Sequence, residues 1–244
     1  MTAHPLLSVE HAQKRFGGLI AVNEVSFSVK QGELVGLIGP NGSGKTTMLN
    51  LISGLLKPSA GRISFGGEEI TGLPAYQIAR RGIARTFQLV RPLASLSAIE
   101  NVIAGAAFGH VRIWGPDAYR EAEILLGRVG LSGRGNAPSG SMTYIDQKRL
   151  ELARALAGNP RLLLLDEWLA GLNPTELRIG IDLIAGLRDE GRTIVMVEHV
   201  MDAIRSLCDR CIVMSSGAKI ADGSAHDVLA QPEVISAYLG SEDA

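Results

Sequence analysis

The sequence predicts an α/β protein built on a parallel sheet, with an antiparallel β segment at its start and a helical insertion in its middle. Three patterns carry that expectation. Residues 6–29 alternate apolar and polar positions through Ala21-Val-Asn-Glu-Val-Ser-Phe-Ser-Val, which is the period of antiparallel strands. Two strand-like apolar runs, at 162–165 and Thr193–Val197, flank an amphipathic helix at 176–188, and strand–helix–strand order implies parallel pairing. Between about 94 and 156 the chain favours helix, with glycine-rich breaks at 105–115 and 130–140.

In chain order, the β segment leads into Leu34-Val-Gly-Leu-Ile-Gly39, an apolar strand that empties into a glycine-rich turn. Residues 46–56 then run as a helix. A turn at 57–61, a short strand at 62–65 and a Gly66-Gly67 turn follow. No internal repeat, low-complexity tract or charged tail interrupts the pattern.

The 244 residues are 46% hydrophobic with a formal net charge of −1, which suits a globular chain that buries a substantial core. The absence of a basic excess argues against a nucleic-acid partner. Met1-Thr-Ala-His-Pro-Leu-Leu lacks the charged start and apolar core of a secretory leader. No apolar stretch approaches the roughly 20 residues that span a bilayer, so a membrane role is expected to be peripheral. Cys208 and Cys211 have the spacing of a redox pair or half a metal site, but no second pair completes one. They are read as reduced structural thiols.

The turn Gly39-Pro40-Asn41-Gly42-Ser43-Gly44-Lys45-Thr46 matches the phosphate-binding pattern G-x-x-x-x-G-K-[ST], with Thr47 following. Its glycines allow successive N–H groups to turn inward on a phosphate, and the helix after it adds a positive end. Lys45 is placed to reach the β- and γ-phosphates of a nucleoside triphosphate, and the Thr46 hydroxyl to hold Mg²⁺.

The run of leucines at 162–165 ends in Asp166-Glu167, which puts carboxylates at the end of a buried strand. Asp166 suits a Mg²⁺ shell, and Glu167 suits a base or polariser for an attacking water. His199 ends the second apolar strand, where it can sense a terminal phosphate or serve the structure. Gln88, in Ala84-Arg-Thr-Phe-Gln88, reads either as an amide within reach of the metal or its water, or as a polar loop residue. Phe16 reads either as an aromatic that stacks on a base or as core.

Taken together, these residues resemble the ATP-binding subunits of ABC transporters over nearly the whole chain. The resemblance implies a RecA-like P-loop NTPase core with an N-terminal antiparallel β subdomain, at about 1–93 and 157–244, and an inserted helical subdomain at about 94–156. It assigns base stacking to Phe16, Walker A to 39–46, the Q-loop to Gln88, and the signature to residues 142–146. Walker B falls at 162–166, the catalytic glutamate at Glu167, the D-loop near 170–173 and the switch histidine at His199. ATP and Mg²⁺ are the implied cofactors, with Thr46, Gln88 and Asp166 toward the metal. Phe16-Gly-Gly-Leu19, Arg85-Thr-Phe-Gln88, Ala170-Gly-Leu-Asn-Pro174 and the tail Val-Ile-Ser-Ala-Tyr-Leu-Gly at 234–240 are similar to branched-chain amino-acid importers. The implied partners are transmembrane permease subunits, a second ATPase subunit and, indirectly, a solute-binding protein, at the cytoplasmic face of the membrane.

The signature departs from the family's Leu-Ser-Gly-Gly-Gln. Met142-Thr143-Tyr144-Ile145-Asp146 stands there; Thr143 still offers a hydroxyl to nucleotide, but Ile145 replaces a glycine and Asp146 a neutral amide. A carboxylate about 4 Å from a phosphate charge would be repelled by about 4 kcal/mol at an effective dielectric near 20. If Asp146 points inward, that repulsion dominates; if it points to solvent, the branched Ile145 is the main defect. Trp168 stands where the family usually has proline. Because the family's subunits pack head to tail, each signature completing its partner's Walker site, a heterodimer with a different ATPase subunit is expected.

Overall fold

The computed structural model describes residues 5–239; the first four residues, part of the stretch read above for a leader, and Gly240 of the tail motif lie outside them. The chain forms two compact units, Met1–Ala75 with Ile184–Ala244, and Tyr76–Leu183.

The first unit begins with β1 (Leu7–Phe16) and β2 (Leu19–Val29), which pair antiparallel from Leu7 opposite Val29 to Phe16 opposite Leu19. Burial of Leu7, Val9 and Ala12 on β1, and of Val25, Phe27 and Val29 on β2, marks the face that packs inward. Strand β3 (Leu34–Ile38) is buried at every position, as expected of a strand covered on both faces. It delivers the chain through residues 39–44 into α1 (Lys45–Ile52). That helix is shorter than the sequence pattern suggests: Ser53 caps it and Gly54 turns left-handed with φ of 72°, so Leu55 and Leu56 fall outside. Strands β4 (Ala60–Phe65) and β5 (Glu68–Glu69) complete a sheet ordered β2-β1-β4-β5.

The second unit follows with α2 (Ala75–Arg81), β6 (Ile83–Arg85), α3 (Ala98–Phe108), α4 (Gly115–Arg128) and α5 (Tyr144–Ala157). Helix α3 starts on a reciprocal cap, in which the Ser97 hydroxyl accepts from the Glu100 N–H and the Glu100 carboxylate accepts from the Ser97 N–H. Gly105, read from the sequence as the start of a break, lies inside α3. A Cβ there would stand 2.2 Å from the Arg154 carbonyl oxygen, so the glycine lets α3 close on α5. Strand β7 (Leu162–Asp166) runs parallel to β6, with Arg85 opposite Leu164. Both strands therefore end at one edge, from which the Gln88 and Glu167 segments emerge. Helix α6 (Pro174–Asp189) carries the chain back into the range of the first unit.

That return adds β8 (Thr193–Val197), α7 (Met201–Leu207), β9 (Arg210–Ser215), β10 (Ala218–Gly223), α8 (Ala225–Leu229) and α9 (Pro232–Leu239). β3 pairs parallel with both β8 and β9, while β10 closes antiparallel on β9. Arg210 pins this region by pairing with Asp222 at 2.5 Å and Glu33 at 3.4 Å. Cys208 and Cys211 are buried free thiols. Among the described residues no His, Cys, Asp and Glu cluster is arranged for a metal ion, and no helix is long and apolar enough to cross a membrane.

Candidate active site

In the first unit the residue 39–46 loop has the shape of an anion cradle. Gly39 at φ 145° and Gly44 at φ 101° hold conformations that L side chains rarely adopt; a Cβ on them would stand 2.0 Å from the Met214 carbonyl oxygen and 2.4 Å from that of Ala21. The loop is thus pressed against β2 and the end of β9. The buried Lys45 ammonium donates to the carbonyls of Gly39 and Pro40, each at 2.8 Å, which draws its charge back over the loop. The Ser43 hydroxyl is buried without a protein partner. Helix α1 begins with no side-chain cap and no acidic residue in its first turn, so its positive end faces the loop without a carboxylate of its own. A phosphate fits that donor set.

Asn41, Gly42 and Thr46 are exposed, and Thr47 is partly so. Parallel pairing of Leu34 with Ile194 and Gly36 with Met196 brings the end of β8 to the edge where the loop leaves β3; the exposed His199 follows it there, after the buried Glu198. Phe16 is not core. It ends β1 with 46% exposure, its ring 5.1 Å from the Lys14 ammonium, on the hairpin whose Ala21 meets the loop.

The second unit brings Gln88 and Glu167 together. Gln88 Nε2 donates to Glu167 Oε2 at 2.7 Å, which aims the amide nitrogen at the carboxylate and turns the amide oxygen away from it. Glu167 sits at φ 49°, a left-handed angle that a non-glycine residue holds only under constraint. Asp166, at the end of β7, is 1% exposed and pairs with Arg85 at 2.7 Å. The sequence reading missed Arg85, although it lies within the Arg-Thr-Phe-Gln stretch that pointed to Gln88. Within this unit the Asp166 carboxylate and the Gln88 amide oxygen are hard donors of the kind Mg²⁺ takes.

The signature segment takes neither orientation weighed from the sequence. Asp146 does not face solvent as a free charge: it is 7% exposed, accepts from the Thr143 hydroxyl at 2.8 Å, and pairs with Arg134 and, at 3.5 Å, with Arg149. Burial pushes its carboxyl up, but the Thr143 hydrogen bond and the two guanidinium groups outweigh that and hold it below the usual carboxylate value. Its charge is therefore spent inside its own unit. Thr143 also caps α5 by accepting the Asp146 N–H at 3.3 Å, so the hydroxyl expected to meet nucleotide is committed to Asp146. Ile145 is partly exposed beside it.

Comparison with known proteins accords with this geometry. The ABC transporter family matches residues 22–170, and a family described as the branched-chain amino acid ATP-binding cassette transporter matches residues 218–244. The high-affinity branched-chain amino acid transport ATP-binding protein BraF of Pseudomonas aeruginosa is 40% identical over 253 residues, covering 98% of this chain and 99% of that protein. The probable transport ATP-binding protein LivG of Archaeoglobus fulgidus is 35% identical, covering 98% of this chain and 96% of its own. Among solved structures, the ATP-binding cassette MJ1267 in its ADP conformation superposes with a TM-score of 0.88 at 30% identity, covering 97% of this chain and 99% of its own. The dimeric cassette MJ0796 bound to ADP and phosphate gives 0.81 at 27% identity, covering 90% and 98%. The fold is a RecA-like P-loop NTPase core with an N-terminal β subdomain and an inserted helical subdomain. With a matching cassette region, end-to-end relatives and a cradle shaped for phosphate, the chain belongs to the ABC transporter family as an ATP-binding, ATP-hydrolysing subunit.

Proposed function

We propose that this subunit couples ATP hydrolysis to uptake of branched-chain amino acids, docked on transmembrane permease subunits at the cytoplasmic face of the membrane and fed indirectly by a solute-binding protein. The names of its relatives and the match at residues 218–244 support the substrate class. In this reading Gly39, Pro40, Asn41, Gly42, Ser43, Gly44, Lys45, Thr46 and Thr47 hold the triphosphate, Phe16 stacks on the base, and residues 94–156 form the helical lobe. Thr46 and Asp166, with the Gln88 amide oxygen, would hold Mg²⁺, which screens phosphate charge when bound. Glu167 takes the proton of the attacking water, and His199 donates a hydrogen bond at the terminal phosphate.

The observation that carries hydrolysis is Glu167, held at a strained angle with Gln88 bonded to its carboxylate at 2.7 Å. Glu167→Gln keeps the shape and removes the base. It should trap a stable ATP-bound dimer, detectable by size-exclusion chromatography with Mg²⁺-ATP; if the chain binds ATP without hydrolysing it, the substitution changes little.

The committed Thr143 hydroxyl and the branched Ile145 favour one refinement. The signature of this chain serves a partner's nucleotide poorly, so a second, different ATPase subunit with an intact signature completes the Walker site here. The assembly then has one active and one impaired site.

A further inference from the structure

Two buried charges on α5 have no part in the nucleotide chemistry above. Lys148, 1% exposed, donates from Nζ to the carbonyls of Glu167 at 3.4 Å, Trp168 at 2.9 Å and Ala170 at 2.6 Å. The Trp168 indole N–H donates back to the Lys148 carbonyl at 3.1 Å, so the residue standing in place of proline is stitched to α5 in both directions. One turn along, Glu151 is 2% exposed and accepts the Phe87 N–H at Oε2, 3.3 Å, and the Arg91 N–H at Oε1, 3.4 Å. Arg154 lies 3.6 Å from its carboxylate.

The sign of each charge matches the backbone it meets. An ammonium takes three carbonyls; a carboxylate takes two amides. Burying an ion costs several kcal/mol unless its hydrogen-bonding capacity is filled, and here backbone groups of two loops fill it. Those loops carry the side chains that meet: Gln88 lies between the two amides that Glu151 holds, and Glu167 begins the segment that Lys148 holds. Both loops are thereby tied to the helix that starts at the signature, and the Tyr144 ring, 5.1 Å from Lys148 Nζ, lies over the ammonium.

We propose that Lys148 and Glu151 are positioning residues for ATP hydrolysis, a pair of opposite buried charges on α5 that sets the Gln88 and Glu167 loops facing one another. The proposal rests on the reading that Gln88 and Glu167 carry hydrolysis. It differs from a packing role in what it predicts, because a displacement of about 1 Å at a reacting group costs about 100-fold in rate while leaving binding at a separate cradle intact.

The test is steady-state ATP turnover and ATP affinity of the native transporter complex carrying Lys148→Met, Lys148→Arg, Glu151→Gln or Glu167→Gln, each checked for folding by circular dichroism. Lys148→Met and Glu151→Gln should lower kcat by about 10- to 100-fold with KM for ATP held within about twofold. Lys148→Arg, which keeps the donors, should retain most of the rate. Adding Lys148→Met to Glu167→Gln should lower the residual turnover no further. If Lys148→Met does not fold, Lys148→Gln takes the same measurement. Folded variants with unchanged kcat, or a loss that falls on KM alone, overturn the positioning role while wild-type turnover sustains the ATPase reading. Wild-type turnover that Glu167→Gln leaves intact overturns the hydrolytic role of Glu167 and the positioning role together.

Discussion

At the residue scale, the tension lies at the end of β7, where a buried aspartate and a glutamate in a left-handed conformation follow each other. A non-glycine residue at such an angle costs about 1–3 kcal/mol, which the contacts of Gln88 and Lys148 to Glu167 offset. Removing the proposed base by Glu167→Gln should reduce turnover by about 10²- to 10⁴-fold with nucleotide affinity retained, measured by fluorescent-nucleotide titration beside the assay. Arg85 is the more structural partner. Arg85→Met would leave the Asp166 carboxylate buried without its guanidinium, and we expect a loss of roughly 3–5 kcal/mol in urea unfolding. Neither Arg85 nor Lys148 was legible as a partner in the sequence. Arg85 meets Asp166 across 81 positions, and a lysine at Lys148 reads as one more solvated charge on an amphipathic helix until the fold buries it.

At the scale of elements, α5 links the signature to both loops, and its first turn is held by Thr143 and Asp146. Thr143→Ala should cost about 1 kcal/mol by removing the cap. The carboxyl of Asp146 is held below its unfolded value, near 3.9, so the native state binds that proton less readily. Its contribution to stability is complete above about pH 4 and fades as pH falls through the lowered native value. Chemical denaturation of wild type and Asp146→Asn should therefore differ at neutral pH and converge on the acid side. Strands with alternation or long apolar runs were legible because those patterns report burial directly: the hairpin within 6–29 and the runs 162–165 and Thr193–Val197 appear as strands, whereas the short β5 and β6 and the half-exposed β10 carry no such pattern. Helix ends were less so. Gly54 stops α1 early and Gly105 does not stop α3, because one glycine turns left-handed and the other makes room for Arg154, a distinction set by distant chain.

At the scale of the whole molecule, the glycine-rich turn at 39–46 between β3 and α1 and the Asp166-Glu167 strand end were legible as motifs, since their pattern is local in sequence. The fate of Asp146 was not. Its charge is neutralised by Arg134, 12 positions upstream, and by Arg149, so the proposal of a weak signature rests on the Thr143 commitment and the Ile145 branch and not on electrostatic repulsion. The central claim is that the Walker half here is competent while its signature half serves a partner poorly. Steady-state ATP turnover of the purified chain, alone and mixed with the second ATPase subunit of its transporter, tests this most directly. Turnover should be weak alone, rise cooperatively with the partner, and fall by about 10²- to 10⁴-fold when this chain carries Glu167→Gln; strong cooperative turnover by the chain alone would contradict the account.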